Sequence, residues 1–200
     1  MNPYLAATIS MCMITLIALA ITAYLAVFFN RRAKADLQAA LLPLAEVVTG
    51  DIDLDAAEVR GRYGEYLAFA RMTKAQEGLG REFQTEIIDA AGGDDWHYKS
   101  AVADADSLPQ VTFTCNELSL RAQIDPYLAK ISRSGIDPRR ERFSLAYSAA
   151  SGHIRLVRPM RTRRDIPEAS TLDCQLNFLV SLAEVNRSAQ GSLNLAGNPE

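Results

Sequence analysis

The sequence predicts an α+β protein: one N-terminal transmembrane helix, then a single soluble domain with an antiparallel sheet and about three helices. Three observations predict it. Tyr4 to Phe29 is an apolar run with no charge and no proline, interrupted only by Thr8, Ser10, Thr15 and Thr22. Strand-like stretches, several with alternating polarity and most separated by glycine-containing turns, recur between Val59 and Met160. Amphipathic segments with apolar residues at i, i+4, i+7 and i+11 lie before and among them.

The apolar run sets the frame. At about 1.5 Å per residue it exceeds a hydrocarbon core roughly 30 Å thick. A secretory signal would carry a basic head and an apolar stretch of about 7–15 residues. Here no Lys or Arg precedes the run, and apolar residues continue past Ala18-Leu19-Ala20 to Phe29. Met11 before Cys12 argues against a lipoprotein site, so residues 1–30 read as a retained anchor. Arg31, Arg32 and Lys34 follow it, and basic residues stay on the cytoplasmic side. The expectation is an outside N-terminus and a cytoplasmic domain, in what looks like a bacterial inner membrane. Within the span, Ala18, Thr22 and Ala26 are four apart, a spacing that lets helices approach.

Residues 31–190 form the expected domain. From Arg31 to Val48 the pattern is amphipathic, with Leu37, Leu41, Leu44 and Val48 on one face, Pro43 as a kink or restart, and Gly50 as the stop. Val59–Tyr63 and Tyr66–Met72 flank Gly64-Glu65 as a hairpin. Gln76 to Gly80 is a linker, and Glu82 to Asp89 alternates as a half-buried strand. The turn at residues 90–95 leads to Trp96–Ala101, which is expected to pair back on that strand, and Val111–Cys115 is a further short strand. Asn116 is the candidate N-cap of a helix with Leu120, Ile124, Tyr127 and Ile131 on its apolar face. Strands follow at Arg142–Ala149 and His153–Met160. The last helix, 171–189, has Ser170 and Asp173 at capping-box spacing and a stripe of Leu172, Leu176, Leu179 and Ala183. Residues 191–200 read as a disordered tail.

The two amphipathic helices correspond at a constant offset of 83, prolines included: Leu37, Leu41, Pro43, Leu44 and Val48 onto Leu120, Ile124, Pro126, Tyr127 and Ile131. Each is followed by a hairpin. A duplicated helix–hairpin unit, with halves 31–110 and 116–165, is one reading; two helices needing the same period is the other.

Chemistry is sparse. Gly78-Leu79-Gly80 lacks the third glycine of a dinucleotide fingerprint, and no Gly-Lys-Ser or Gly-Lys-Thr occurs. Asp94, Asp95 and His97 form the nearest approach to a metal cluster, and strand alternation leaves only two ligands. Cys115 or Cys174 with His97 or His153 are the pairs open to nucleophilic chemistry, against buried structural thiols for both as the plain alternative; whether these cysteines are free or bonded stays open. No catalytic, cofactor-binding or metal-binding residue is assigned, and no cofactor.

Charge is uneven although the net is only −3. Between Arg139 and Arg164 eight arginines face the single acid Glu141, while Glu46 to Asp95 holds twelve acids and five bases. The basic stretch lacks the interleaved aromatics of a single-strand nucleic-acid platform, so no nucleic acid is expected. Arg155, Arg158, Arg161, Arg163 and Arg164 are candidates for ion pairs, for contact with anionic lipid, or for docking an acidic partner or a second copy. The expected role is a non-enzymatic membrane-tethered interaction domain, accessory or assembly-related. The alternative is a tethered enzyme or small-ligand receptor with a pocket the sequence does not display.

Overall fold

The computed structural model describes residues 3–74, 80–90, 92–101, 110–138 and 141–196. The chain forms two units, residues 1–39 and 40–200. It contains one long N-terminal helix, α1 (Pro3–Val47), an antiparallel eight-stranded sheet and two further α-helices. The arrangement is α+β, as the sequence predicts.

In the first unit, every side chain from Met11 to Arg32 is exposed, apolar ones included. One stretch of α1 is long and apolar enough to cross a membrane. Its hydroxyls are internally satisfied: Thr15 donates to the Met11 carbonyl (2.9 Å) and Thr22 to that of Ala18 (2.8 Å). A polar side chain bonded to its own helix enters hydrocarbon without an unpaired donor.

Pro43 neither breaks α1 nor restarts it; the helix runs through to Val47. Proline removes one hydrogen bond, and with barely a turn left the loss is local. The stop is also displaced by one residue. Thr49, not Gly50, adopts the left-handed conformation (φ 47°), with Gly50 N–H donating to the Ala45 carbonyl (3.0 Å) and Thr49 N–H to that of Glu46 (3.3 Å). This is a Schellman closure. Gly50 serves a different need: a Cβ there would lie 2.2 Å from the Arg60 carbonyl oxygen, and one on Gly61 2.2 Å from that of Val48. The backbones touch, and the Val48 carbonyl accepts the Arg62 N–H at 2.6 Å.

The strands are β1 (Asp51–Asp53), β2 (Glu58–Tyr63), β3 (Tyr66–Lys74), β4 (Arg81–Ile88), β5 (Trp96–Ala101), β6 (Gln110–Cys115), β7 (Phe143–Ser148) and β8 (His153–Met160). Their order is β1-β2-β3-β4-β8-β7-β5-β6. The β2–β3 hairpin turns on Gly64-Glu65 as expected, with φ 60° at Gly64. The expected pairing of β5 back onto β4 does not occur. β8 lies beside β4 instead, in register from Arg81↔Met160 to Ile87↔Ile154, and β5 sits between β7 and β6. The loop leaving β4 is tied to the β7–β8 turn, Ala90 N–H to Gly152 O (3.0 Å) and Ala149 N–H to Asp95 Oδ1 (2.6 Å). That route carries Trp96 to full burial against Tyr147 and Phe113. As a central strand, β4 is buried on both faces from Phe83 to Ile87 rather than half-buried.

Helix α2 (Leu118–Leu128) starts from Glu117, with no side-chain cap, rather than from Asn116. Leu120, Ile124 and Leu128 are its buried face. Tyr127 is turned outward because the helix ends at Leu128 and tightens into a 3-10 turn, Ile131–Ser134, which buries Ile131. Helix α3 (Ala169–Ala196) begins earlier and runs further than expected, so part of the expected tail is helical; residues 197–200, like 76–79 of the linker, lie outside the described residues. Leu172, Leu176, Leu179 and Ala183 are all buried, as the stripe predicts. Asp173 does not close a capping box: it accepts the Tyr63 hydroxyl at 2.6 Å. Both hairpins that follow the matched helices exist, but β8 lies beside β4 while β3 occupies β4's other flank, next to β2.

Candidate functional site

Alternation along each strand gives the sheet two faces. One carries Val59, Ala70, Thr85, Ile87, Leu156, Leu145 and Trp96, and α3 rests on it. Thr85 donates to Gln175 Oε1 (2.9 Å) and Trp96 Nε1 to Asn186 Oδ1 (3.2 Å). The side-chain contacts described between helices and strands fall on this face. The opposite face carries Arg60, Arg62, Phe69, Arg71, Gln84, Glu86, His153, Arg155, His97 and Lys99.

Glu86 lies at the centre of this second face and is 3% exposed. Strand register explains its partners: Phe69 and Arg155 flank it directly, with Arg71 and His153 on the diagonals. Its Oε1 meets His153 Nδ1 at 2.6 Å and Arg155 at 3.1 Å, while Oε2 accepts Arg71 at 3.0 Å. A buried carboxylate is costly unless its lone pairs are filled. Here both oxygens are filled by charge-capable donors, the strongest class of hydrogen bond. Arg71 also donates to Gln84 Oε1 (3.0 Å), and Gln84 donates to Thr73 (2.9 Å). The result adds a side-chain tie across β3, β4 and β8 to their backbone pairing. Arg155 Nε is buried with no hydrogen-bond partner. At the rim, the Arg60 guanidinium lies 5.3 Å from the Phe69 ring centre.

The predicted arginines separate. Arg155 joins the Glu86 network; Arg158 points to the helix-bearing face, 3.4 Å from Glu141. Arg161 and Arg164 are exposed in the loop after β8, and Arg163 opens the short turn Arg163–Asp165. Asp165 shapes that loop, its Oδ2 accepting the N–H groups of Arg161 and Thr162, each at 2.7 Å. The Thr162 and Arg161 amides hold this carboxyl below its ordinary value. Beside it is a cleft of about 230 Å³ lined by Arg81, Met160, Arg161 and Thr162.

The cysteines and histidines are kept apart. Cys12, Cys115 and Cys174 are free thiols. Cys115 shares the helix-bearing face with its cross-strand neighbour Trp96, whereas His97 and His153 lie on the open face. Burial raises the Cys115 thiol above its ordinary value. Cys174 is exposed on α3. Among the described residues no three metal-capable side chains converge; Asp95 is engaged with the Ala149 amide. Glu86 and Arg71 are the members that sequence reasoning missed. Their signal, an acid and a base on the polar-alternating face of neighbouring strands, becomes readable only once β4 is known to lie between β3 and β8. Compared with protein-family models, curated proteins and solved structures, the chain matches none.

Proposed function

We propose that the chain is a single-pass membrane protein whose domain is a cytoplasmic docking module, binding an acidic protein surface through the open face of its sheet. The observation that carries this reading is the face itself, over which no helix packs among the described residues. It is ordered by a buried ion-pair network, yet its rim is exposed. Across β2, β3, β4, β8 and β5 the face presents Arg60, Arg62, Arg71, Lys99 and Arg155 against Glu58, Glu82 and Glu86, while Asp51 and Asp53 on the β1 edge bring the whole face to neutrality, so its basic surplus lies away from that edge. Complementary charge steers encounter and sets register. The basic flank Arg31, Arg32 and Lys34 and the three free thiols support the cytoplasmic side. The test is quantitative co-purification from gently solubilised membranes, comparing wild type with Arg60→Glu/Lys99→Glu, two exposed rim positions. The reading requires a partner that the variant loses while its Trp96 emission, and hence its fold, is unchanged. Identical partner yields for both chains would overturn it.

A second reading rests on the cleft between Arg81 and Arg161, with Arg164 nearby: contact with anionic lipid headgroups. Each basic residue near such a surface contributes about 1 kcal/mol. Hydrogen exchange of the loop amides in nanodiscs, with and without phosphatidylglycerol, tests it. Protection that requires the anionic lipid and disappears in Arg161→Glu/Arg164→Glu is the expected result; equal exchange in both bilayers would exclude it.

A further inference from the structure

The two edges of the sheet are treated differently. β1 is three residues long and carries Asp51 and Asp53, a short acidic edge that discourages strand addition. β6 is six residues long, has no charge, proline or glycine, and pairs only with β5 among the described residues. Its Gln110, Val111, Thr112 and Thr114 are exposed, Val111 by 42%. The strand is not loose. Phe113 is fixed edge-on against Trp96 and Tyr98, with the Arg121 guanidinium 5.6 Å from its ring centre. A β-branched edge with ordered aromatic packing and no described strand beyond it is a template for another strand.

We infer that β6 pairs with β6 of a second copy, antiparallel about a two-fold axis, joining two eight-stranded sheets into one. The choice of partner follows from charge and symmetry. Two-fold pairing of a strand with itself places residues of the same face opposite one another, so a charge at the axis would meet its own copy and an off-axis charge would face an uncharged partner on this strand. β6 carries none; of the other strands only β7, which is internal, is also uncharged. Thr112 and Thr114 then meet one another across the junction, a favourable cross-strand pair. Six residues a side bury too little surface for a tight dimer between freely diffusing chains. Two copies anchored in one bilayer meet at a much higher effective concentration, where a weak edge contact suffices. The inference does not rest on the open-face reading, because it concerns contacts between copies.

The test uses the full chain in proteoliposomes. Donor and acceptor fluorophores are placed on exposed Cys174, with Cys12 and Cys115 replaced by serine, and energy transfer between copies is read as protein is diluted in lipid. Wild type should associate. Thr112→Lys/Thr114→Lys and Thr112→Glu/Thr114→Glu should each weaken association about tenfold, since either register brings like charges together. Mixing the two variants should restore it. Trp96, beside this strand pair, reports that both variants are folded. Association absent in wild type, or unchanged by the charges, or not restored on mixing, would overturn the inference and place any dimer elsewhere, such as the span.

Discussion

Replacing Glu86 with alanine removes the one carboxylate that Arg71, Arg155 and His153, on two strands, share. The expected loss can be built from the contacts. Glu86 is buried and receives charge-assisted bonds at 2.6, 3.0 and 3.1 Å. Hydrogen bonds to charged groups are worth about 1.5–3 kcal/mol each, but these three are not independent. The side chains left behind are 31%, 28% and 38% exposed for Arg71, His153 and Arg155, so water recovers part of the loss. A fully buried pair broken on one side costs about 3–5 kcal/mol; partial exposure brings the expectation for Glu86→Ala to roughly 2–3 kcal/mol. Glu86→Gln keeps the shape and one acceptor and should cost less, about 1–2 kcal/mol. Urea unfolding of the full chain in detergent, followed through the single, buried Trp96, measures both. A Glu86→Ala midpoint within error of wild type, or a larger loss for glutamine than for alanine, would refute the view that this network holds β3, β4 and β8 together.

Four further outcomes are expected. Gly61→Ala forces a Cβ against the Val48 carbonyl and should cost at least about 1–3 kcal/mol, whereas Gly64→Ala, with open space around it and only its φ of 60° to strain, should cost about 1 kcal/mol; the same urea assay separates them, and equal losses would deny the α1–β2 contact. Burial and the bond to Asp173 raise the Tyr63 phenol far above its ordinary value, so its contribution is complete below pH 10 and is lost as pH rises through the folded value. Tyr63→Phe should therefore cost about 1 kcal/mol at neutral pH and remove the last-ionising tyrosine from an alkaline ultraviolet titration. Asp165 is depressed, so the loop it caps is intact above the ordinary value of 3.8 and opens only as pH falls through the lower folded one; the Thr162 amide shift, followed by NMR, should have its midpoint below 3.8. A membrane-impermeant maleimide should leave exposed Cys174 unlabelled in intact cells and label it after permeabilisation; labelling in intact cells would reverse the proposed orientation.

Element existence was largely legible, and pairing was not. The apolar run, the Gly64-Glu65 hairpin, the β7–β8 hairpin and the α3 stripe all depend on local pattern, which a sequence displays directly. The path of β5 depends on a non-local choice: β4 had two possible neighbours, and Ala90 and Asp95 tie its exit loop to the β7–β8 turn. Helix ends failed for smaller reasons. Thr49 took the left-handed position because Gly50 was needed for backbone contact with Arg60, and Asp173 left its expected cap for Tyr63. The site followed the pairing. With β5 beside β4 in place of β8, Glu86 would have lost Arg155 and His153 and kept only Arg71 from β3, so a carboxylate that organises the open face was readable only as one acid among twelve.

The energetics of that face bear on why it exists. Covering β4 with apolar side chains on both sides would be the cheaper way to build a central strand, because a buried ion pair rarely outweighs its desolvation against a well-packed apolar replacement. Apolar residues at the Glu86, Arg71 and Arg155 positions would, however, leave a broad hydrophobic patch on a face with no described helix over it, and such patches associate indiscriminately. The network avoids both outcomes. It holds three strands in fixed register, fills the centre with a satisfied carboxylate, and leaves Arg60 and Lys99 exposed at the rim. A surface of that kind stays wet and rigid at once, which suits selective charge-guided docking better than it suits either a core or an inert exterior.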